Sequence, residues 1–374
     1  MVDITTDKDM AERRALLALW AVPGLGPRAL ERLRAYARGE LARLVACPVR
    51  EWVGGAPLPV PVRRRLLEVP ELGPLADRVL ERCAAVGMGV AFQGEPAYPA
   101  RLVGTDDAPP LLFYRGEVGP PRRRVAMVGS RHPDQGFLPF ARTFARQVAE
   151  GGVGIVSGAA AGVDRACHWG AMDAGGETWA FLGSALDELD SAQAKLLPHF
   201  LARGGVFFSE LPPGVRASTT TFPRRNRLIS GASDAVLILR AGAASGSLYT
   251  AEAGRAQGRP VLALPGDVMN EGAAGCNALI RDGHARACLS VQEVWRAVGF
   301  HPQRVVPPGE GSAWQEELSA EARGAYQVLD RVPRSFDEVL AGSRLSPAAL
   351  TSALVELELS GLVIQHPGRL YEKV

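Results

Sequence analysis

The chain has 374 residues, of which 47% are hydrophobic and 22% are charged, and its formal net charge is +2. This length fits two or three globular domains. The near-neutral net charge does not by itself demand a strongly charged partner such as a nucleic acid, so the local distribution of charge is more informative. Because no run approaches the roughly 18 consecutive apolar residues of a membrane-spanning helix, we expect no membrane association.

The N-terminal region predicts helices. The first ten residues, MVDITTDKDM, are polar and do not form a secretory signal, so we expect a cytoplasmic protein. Helical periodicity predicts a helical domain over residues 1–86, in which residues 27–45 read as one helix. The turn VPGLGP at 22–27, with the near copy VPELGP at 69–74, is typical of a helix-hairpin-helix or SAM-like domain. Such a turn presents backbone N–H groups to a DNA phosphate, or it simply links two packed helices.

Residues 87–301 alternate short β-branched runs with amphipathic segments. This alternation predicts an α/β domain, in which an extended Rossmann-like parallel sheet is covered by helices on both faces. The nearly continuous apolar run AVLIL is typical of a strand that is buried on both faces. The predicted strands lie at 124–130, 152–158, 178–183, 205–210, 234–240 and 259–266.

The C-terminal region predicts a linker and a small third domain. Residues 302–316 are rich in proline, glycine and polar residues, which is typical of a linker. Residues 317–374 read as three helices followed by a hairpin, the order of a winged-helix-like domain. Ser346 and Pro347 form a predicted helix start, and Gly361 is a predicted stop.

Glycine with serine or threonine follows nearly every predicted strand. Open parallel sheets bind ligands beyond the carboxyl ends of their strands. Glycine permits close backbone approach, hydroxyls donate hydrogen bonds, and helix N-termini favour anions. Any single turn of this kind is ordinary in an α/β protein, but five at one edge predict a phosphate-binding rim.

The arginines near the predicted rim indicate what kind of phosphate ligand it binds. No acidic residue lies between Glu210 and Asp234, a segment that contains four arginines. A cluster of arginines is suited to binding a chain of phosphates. The alternative interpretation is that these arginines only form a solvent-exposed surface. Phe222 either stacks on an unpaired base or anchors in the core. The arginines near the predicted rim are Arg122, Arg123, Arg124, Arg131, Arg216, Arg224, Arg225 and Arg227.

Signatures of catalytic and cofactor-binding classes are absent from the sequence. It contains neither GxGxxG after the first predicted strand nor GxxxxGK[ST], so we expect no dinucleotide cofactor and no P-loop hydrolysis. His132 and His168 have no evident nucleophile partner, so we predict no catalytic residue. The cysteines form no CxxC pair, so we expect reduced thiols and no metal site. They are Cys47, Cys83, Cys167, Cys276 and Cys288.

Residues 124–283 resemble the DNA-processing protein A family, also called DprA or Smf. The motifs that carry the resemblance are, in order, VGSR, SGxAxGVD, LG, FPRRNRLISG, SGSLYTA, LPG and NALIRDG, with YPARL and DAPPLLFYRG upstream. The resemblance implies a Rossmann fold that forms a homodimer and has no catalytic activity. It also implies binding of single-stranded DNA and loading of RecA recombinase onto it, as in natural transformation and DNA recombination.

The resemblance further implies which residues bind DNA. This chain has Ala161 and Ala244 where the family usually carries arginine, and Arg240 where it usually carries glutamate. The usual Tyr-Pro after the third predicted strand is replaced around Asp190 and Ser191. By matching position, the DNA-binding set is Gly129, Ser130, Arg131, Ser157, Gly158, Gly162, Gly183, Phe222, Arg224, Arg225, Asn226, Arg227, Ser245, Gly246 and Ser247.

Two other function classes compete with this interpretation. Nucleoside-monophosphate phosphoribohydrolases of the lysine-decarboxylase-like family share the architecture and use a catalytic arginine and glutamate. Arg227 and the run SGSLYTAE, which ends at Glu252, resemble their motif distantly, but the double glycine is missing and Thr250 is displaced. The third class is a scaffold that contacts DNA weakly. Salt-dependent binding of single-stranded DNA separates the first class from both.

Overall fold

The computed structural model shows two compact units, Met1–Pro302 and Gln303–Val374. The predicted linker at 302–316 lies outside the described residues. Those residues are 7–69, 71–120, 122–134, 136–300, 318–330, 332–359, 362–366 and 368–373.

The first unit begins with short helices joined by tight turns. The predicted hairpin turn lies between helix α1, Asp7–Trp20, and helix α2, Pro27–Tyr36. Leu25 of the turn is buried, and Gly24 has a φ of +86° that favours glycine. The prediction of one helix over residues 27–45 is wrong. Arg38 and Gly39 both adopt positive φ, which ends α2 before a new helix begins. The helices are α1 Asp7–Trp20, α2 Pro27–Tyr36, α3 Leu41–Ala46, α4 Val49–Trp52, α5 Val60–Leu67 and α6 Gly73–Ala85.

These helices share an apolar cluster with the sheet. Leu17 and Leu33 from the helices belong to the same buried cluster as Leu182 and Phe207 from the sheet domain. The predicted boundary between 1–86 and 87–301 stays a prediction, because the two segments pack as one unit.

In the described residues, nine strands form one sheet. They are β1 Gly89–Phe92, β2 Leu111–Arg115, β3 Arg124–Gly129, β4 Gly154–Ser157, β5 Thr178–Phe181, β6 Val206–Ser209, β7 Ala235–Arg240, β8 Val261–Ala263 and β9 Arg286–Ala287. Their order across the sheet is β1-β2-β6-β5-β4-β3-β7-β8-β9. All six predicted strands are present as β3–β8, and they pair in parallel. The predicted fold class is therefore confirmed. An antiparallel hairpin, β1 with β2, extends one edge of the sheet and was not predicted.

The strand order changes direction at β3. The chain runs outward from β3 through β4, β5 and β6, and then returns to place β7 on the other side of β3. Such a switch point opens a crevice beyond the carboxyl ends of the two strands that flank it. The helices of this domain are α7 Phe137–Glu150, α8 Val163–Asp173, α9 Ser191–Ala202, α10 Thr221–Gly231, α11 Leu248–Ala256, α12 Ala274–Arg281 and α13 Val291–Ala297.

The second unit contains the three predicted helices and the terminal hairpin of a winged helix. Ser346 Oγ accepts a hydrogen bond from the backbone N–H of Ala349 at 3.2 Å, which confirms the predicted helix start. Gly361 lies outside the described residues. The elements are α14 Ala320–Val328, β10 Arg334–Ser335, α15 Phe336–Ser343, α16 Pro347–Leu359, β11 Val363–His366 and β12 Leu370–Lys373.

Candidate nucleic-acid interface

A cavity of about 630 Å³ opens at the switch point, beyond the carboxyl ends of β3 and β7. We call it the rim cavity. The first turns of α10 and α11 complete its walls, so segments far apart in sequence meet here. Nine of the predicted site residues line it: Gly129, Ser130, Arg131, Phe222, Arg225, Asn226, Ser245, Gly246 and Ser247.

The end of β3 forms one wall of the rim cavity. A Cβ at Gly129 would lie 2.9 Å from the carbonyl oxygen of Arg240, so only glycine fits there without a shift. The backbone N–H of Ser130 donates to that same carbonyl at 2.7 Å. The next residue, Arg131, is exposed, and its guanidinium lies 4.9 Å from the ring centre of Phe222. A cation and an aromatic ring are therefore adjacent in this wall.

Phe222 is half-buried rather than wholly in the core. A Cβ at Gly183 would lie 3.0 Å from the Phe222 ring, so the glycine makes room for it. The ring still lines the rim cavity. Phe222 is therefore packed against the end of β5 on one side and lines the cavity on the other, and its stacking on a base stays a prediction.

Arg225 lies beneath the rim cavity and is only 4% exposed. Its Nη1 donates to the carbonyl oxygens of Gly158, at 2.7 Å, and of Phe181. A Cβ at Gly158 would lie 2.3 Å from Nη1. Burial lowers the pKa of Arg225 to about 10, and the nearby Asp164 carboxylate opposes that shift. Arg225 therefore braces the ends of β4 and β5 instead of presenting its charge to solvent.

Asp164 is a site residue that the sequence analysis missed. Its carboxylate is 5% exposed, lines the rim cavity, and accepts a hydrogen bond from the N–H of Gly158 at 3.1 Å. Burial raises its pKa, while Arg225 and the backbone N–H groups of Gly129, Gly158 and Ala160 oppose the rise. Because these N–H groups donate hydrogen bonds to Asp164, they are not the donors that the predicted phosphate-binding rim would use.

The loop before α11 supplies the opposite wall. Ser245 and Ser247 share a hydrogen bond between their hydroxyls at 2.8 Å, and Asn226 Nδ2 donates to the carbonyl of Gly246 at 3.1 Å. This loop leads into the positive end of α11, which favours an anion. Tyr249, on the first turn, lines the rim cavity with 57% of its side chain exposed. The sequence contained Tyr249 within SGSLYTA, but nothing in the pattern indicated that it was exposed.

The remaining predicted residues support the site or lie beside it. Ser157 is buried and donates to the carbonyl of Met127 at 2.6 Å. Gly162 has a φ of +82°, and a Cβ there would lie 2.4 Å from the Ser130 carbonyl oxygen. Arg227 is bound internally, to the carboxylate of Glu210 and to a backbone carbonyl. The other residues outside the cavity lining are Gly158, Gly183 and Arg224.

The expectation that Arg122, Arg123 and Arg124 belong to the rim is wrong. β3 begins at Arg124, so these residues lie at the amino end of the strand, across the sheet from the rim cavity. Arg124 pairs with Glu177 at 2.9 Å and lies over the ring of Trp179. Arg123 pairs with Asp234, so the charges of Arg123 and Arg124 are engaged at the amino ends of the strands, away from the cavity.

The departures from the family pattern change the cavity in different ways. Ala244 lines the rim cavity directly, so the charge of the usual arginine is lost there. Arg240 adds no free charge, because its guanidinium pairs with Asp134 at 3.1 Å and lies over the ring of Phe137.

No acid–base pair is assembled in the rim cavity among the described residues. His168 is fully buried, with Nδ1 hydrogen-bonded to Thr178 Oγ1 at 2.7 Å, and burial lowers its pKa to about 3. Neither Arg227 nor Glu252 lines the cavity. Within the described ranges, no group of histidine, cysteine and carboxylate side chains could hold a metal ion, and no helix is long and apolar enough to cross a bilayer.

Two family models match the chain. Residues 89–299 match DNA recombination-mediator protein A, and residues 310–369 match the DprA winged helix domain. The chain belongs to the DprA family. This confirms the resemblance drawn from the sequence motifs. Members of this family are DNA-binding recombination mediators and not enzymes, so the phosphoribohydrolase alternative is not favoured.

DprA-family relatives cover most of this chain. Protein Smf of Escherichia coli is 34% identical over 276 residues, which are 72% of this chain and 74% of that protein. The X-ray structure of DprA from Streptococcus pneumoniae has a TM-score of 0.63 and 27% identity, covering 79% of this chain and 99% of that one. DNA processing protein A from Helicobacter pylori has a TM-score of 0.50 and 25% identity, covering 57% of this chain and 97% of that one. The work on the Helicobacter pylori protein concerns its single-stranded DNA binding mode.

Proposed function

We propose that this DprA-family protein binds single-stranded DNA in the rim cavity and helps load RecA recombinase onto it, as in natural transformation and DNA recombination. The observation that carries the proposal is the composition of the cavity wall. Exposed Arg131, half-buried Phe222 and exposed Tyr249 line one cavity together with the hydroxyls of Ser245 and Ser247. The single-stranded DNA binding described for the Helicobacter pylori protein supports this choice of ligand.

The aromatic side chains favour an unpaired strand. Bases stacked inside a duplex do not expose their faces, whereas the bases of a single strand can stack on aromatic rings. Phe222 and Tyr249 both line the cavity, so two rings are available to bases. Stacking of this kind tolerates every base, so we expect little sequence preference.

The polar groups of the cavity fit the phosphates of such a strand. Arg131 supplies an exposed positive charge, and the positive end of α11 lies behind Ser245 and Ser247. Because phosphate contacts release counterions, the affinity should fall as salt is raised, with a slope of about 0.7 per contact.

Fluorescence anisotropy with labelled thymidine oligonucleotides tests the proposal. We expect salt-dependent binding of single strands and weaker binding of a duplex of the same length. Arg131→Ala should weaken binding and reduce the salt slope by roughly 0.7. Arg146→Ala is the matched control, because Arg146 is an exposed arginine on α7 that does not line the cavity. Equal binding by both variants would refute the assignment of DNA to this cavity.

We further propose that the protein acts in the cytoplasm as a homodimer through its Rossmann-like domain, as the family resemblance implies. Light scattering after size-exclusion chromatography measures the oligomeric state, and a monomer at micromolar concentration would contradict the proposal. RecA loading is measured as a shorter lag in RecA ATPase activity on single strands coated with single-strand-binding protein. An unchanged lag would limit the function to DNA binding.

A further inference from the structure

A second cavity, of about 570 Å³, lies between α10 and the hairpin turn of the N-terminal helices. We call it the hairpin groove. Pro223 and Arg225 line the rim cavity, whereas Arg224, between them in sequence, lines the hairpin groove. Gly24 and Gly26 of the turn form its other side. The first turn of α10 is therefore shared by the two cavities.

The hairpin groove carries a surplus of positive charge. Among the described residues, its lining includes four arginines and a single carboxylate, that of Asp107. Arg28 is 82% exposed and lies 3.7 Å from Asp107. Arg224 is 54% exposed and lies 3.9 Å from a Glu210 oxygen that already pairs with Arg227. Each of these two exposed guanidinium groups thus makes only a long ion pair, and Arg224 shares its carboxylate with Arg227.

Arg28 and Arg32 lie four residues apart on α2, both exposed. Like charges at this spacing face the same side of a helix and repel each other, which costs a few tenths of a kcal/mol. No α2 carboxylate lines the groove beside them. An anion bound between the two guanidinium groups would relieve this repulsion.

The hairpin turn is fixed to the segment that follows β6 and leads to α10. Trp20 Nε1 donates to the Glu210 carbonyl at 2.7 Å in a buried contact, and Val22 and Leu25 of the turn are buried. The arginines of α2 consequently keep a constant position relative to Arg224. A DNA strand that leaves the rim cavity beside Pro223 would pass Arg224 first and then the arginines of α2.

We propose that single-stranded DNA held in the rim cavity continues across Arg224 into the hairpin groove, where Arg28 and Arg32 bind its phosphates. This inference rests on the proposed function, because it extends the DNA path beyond the rim cavity. The contacts are to phosphate, so they should add affinity without base preference. A short oligonucleotide confined to the rim cavity should not sense these arginines.

The test compares Arg28→Gln/Arg32→Gln with Arg34→Gln/Arg50→Gln. The control pair removes two exposed arginines from the same helical region, and neither lines the hairpin groove. Glutamine retains good helix propensity, and thermal melting checks the fold of both variants. Affinity is measured with thymidine oligonucleotides of about 6 and about 25 nucleotides at several salt concentrations.

With the long oligonucleotide, we expect the groove variant to lose roughly 1.4 from the salt slope, which is two contacts of about 0.7. Its affinity deficit should therefore grow roughly sevenfold between 200 and 50 mM salt. With the short oligonucleotide, it should match wild type.

The possible results separate the two proposals. Long-oligonucleotide binding equal to that of the control pair would overturn the extended path, as would an equal loss with both oligonucleotides. Failure of the wild-type protein to bind either oligonucleotide would instead refute the proposed function itself.

Discussion

Arg225 Nη1 donates a hydrogen bond to the Gly158 carbonyl at 2.7 Å, so an arginine of the motif FPRRNR is fixed to the end of β4. Its neighbour Arg224 has 54% of its side chain exposed. Adjacent arginines in one motif thus have opposite environments. One stabilises the walls of the rim cavity, and the other lies on the surface between the two cavities.

We predict that Arg225→Ala destabilises the fold by about 3–5 kcal/mol, because it leaves the buried Asp164 carboxylate without a compensating charge. Arg224→Ala should change the free energy of unfolding by less than about 0.5 kcal/mol, as is usual for surface substitutions. Urea denaturation of both variants measures the difference. Similar unfolding midpoints would contradict the structural role assigned to Arg225.

The buried His168 predicts a pH dependence of stability. Its pKa is lowered from 6.5 to about 3 in the folded state, so the unfolded state binds the proton first as the pH falls. Its stabilising contribution is present above pH 6.5 and is lost progressively toward about pH 3, at up to about 1.4 kcal/mol per pH unit. In urea titrations between pH 7 and 4, His168→Gln should have a shallower pH dependence than wild type. Parallel curves would show that His168 does not titrate between the two states.

Tyr249 should contribute to DNA affinity by stacking. We expect Tyr249→Ala to weaken binding of single strands by about 1–3 kcal/mol while leaving the salt slope unchanged, because no phosphate contact is lost. Tyr249→Phe keeps the ring and serves as the matched control. A loss in Tyr249→Phe as large as in Tyr249→Ala would point to the hydroxyl instead of stacking.

The winged helix should contribute little to DNA binding. Its candidate recognition helix, α16, contains no lysine or arginine and carries Glu356 and Glu358, so it repels phosphates. Deleting the residues after 302 should leave most of the affinity for single strands, as measured by anisotropy. The far-UV circular dichroism and melting of the shortened chain check its fold, and a collapse of binding in a folded protein would contradict the prediction.

The sheet could be predicted from sequence because its central strands are apolar runs bounded by glycine. The β1–β2 hairpin could not, because GVAF and LLFYR carry no turn signal that pairs them. The break after α2 depends on Arg38 in a left-handed conformation, which local propensity does not favour for arginine.

Within the candidate site, the sequence identified the loops but not the role of each arginine. Residues 224 and 227 share a helical face by spacing, yet Arg227 is held by Glu210 whereas Arg224 is exposed. Asp234 is nearer to Arg227 in sequence than Glu210 is, yet Asp234 pairs with Arg101 and Arg123 instead. Which carboxylate meets which guanidinium depends on tertiary packing, and helical periodicity carries no information about it.

Because the N-terminal helices and the sheet share one apolar cluster, the N-terminal helices cannot be removed without consequence for the rest of the protein. Removing the helices would take away part of the cluster that also contains Leu182, Phe200 and Phe207 of the sheet domain, and so would expose apolar surface. A fragment produced by proteolysis near Gly87 would therefore have a newly exposed hydrophobic surface and would aggregate. A chain that evolved from this one by losing its N-terminal segment would need polar residues on the newly exposed surface to avoid aggregation.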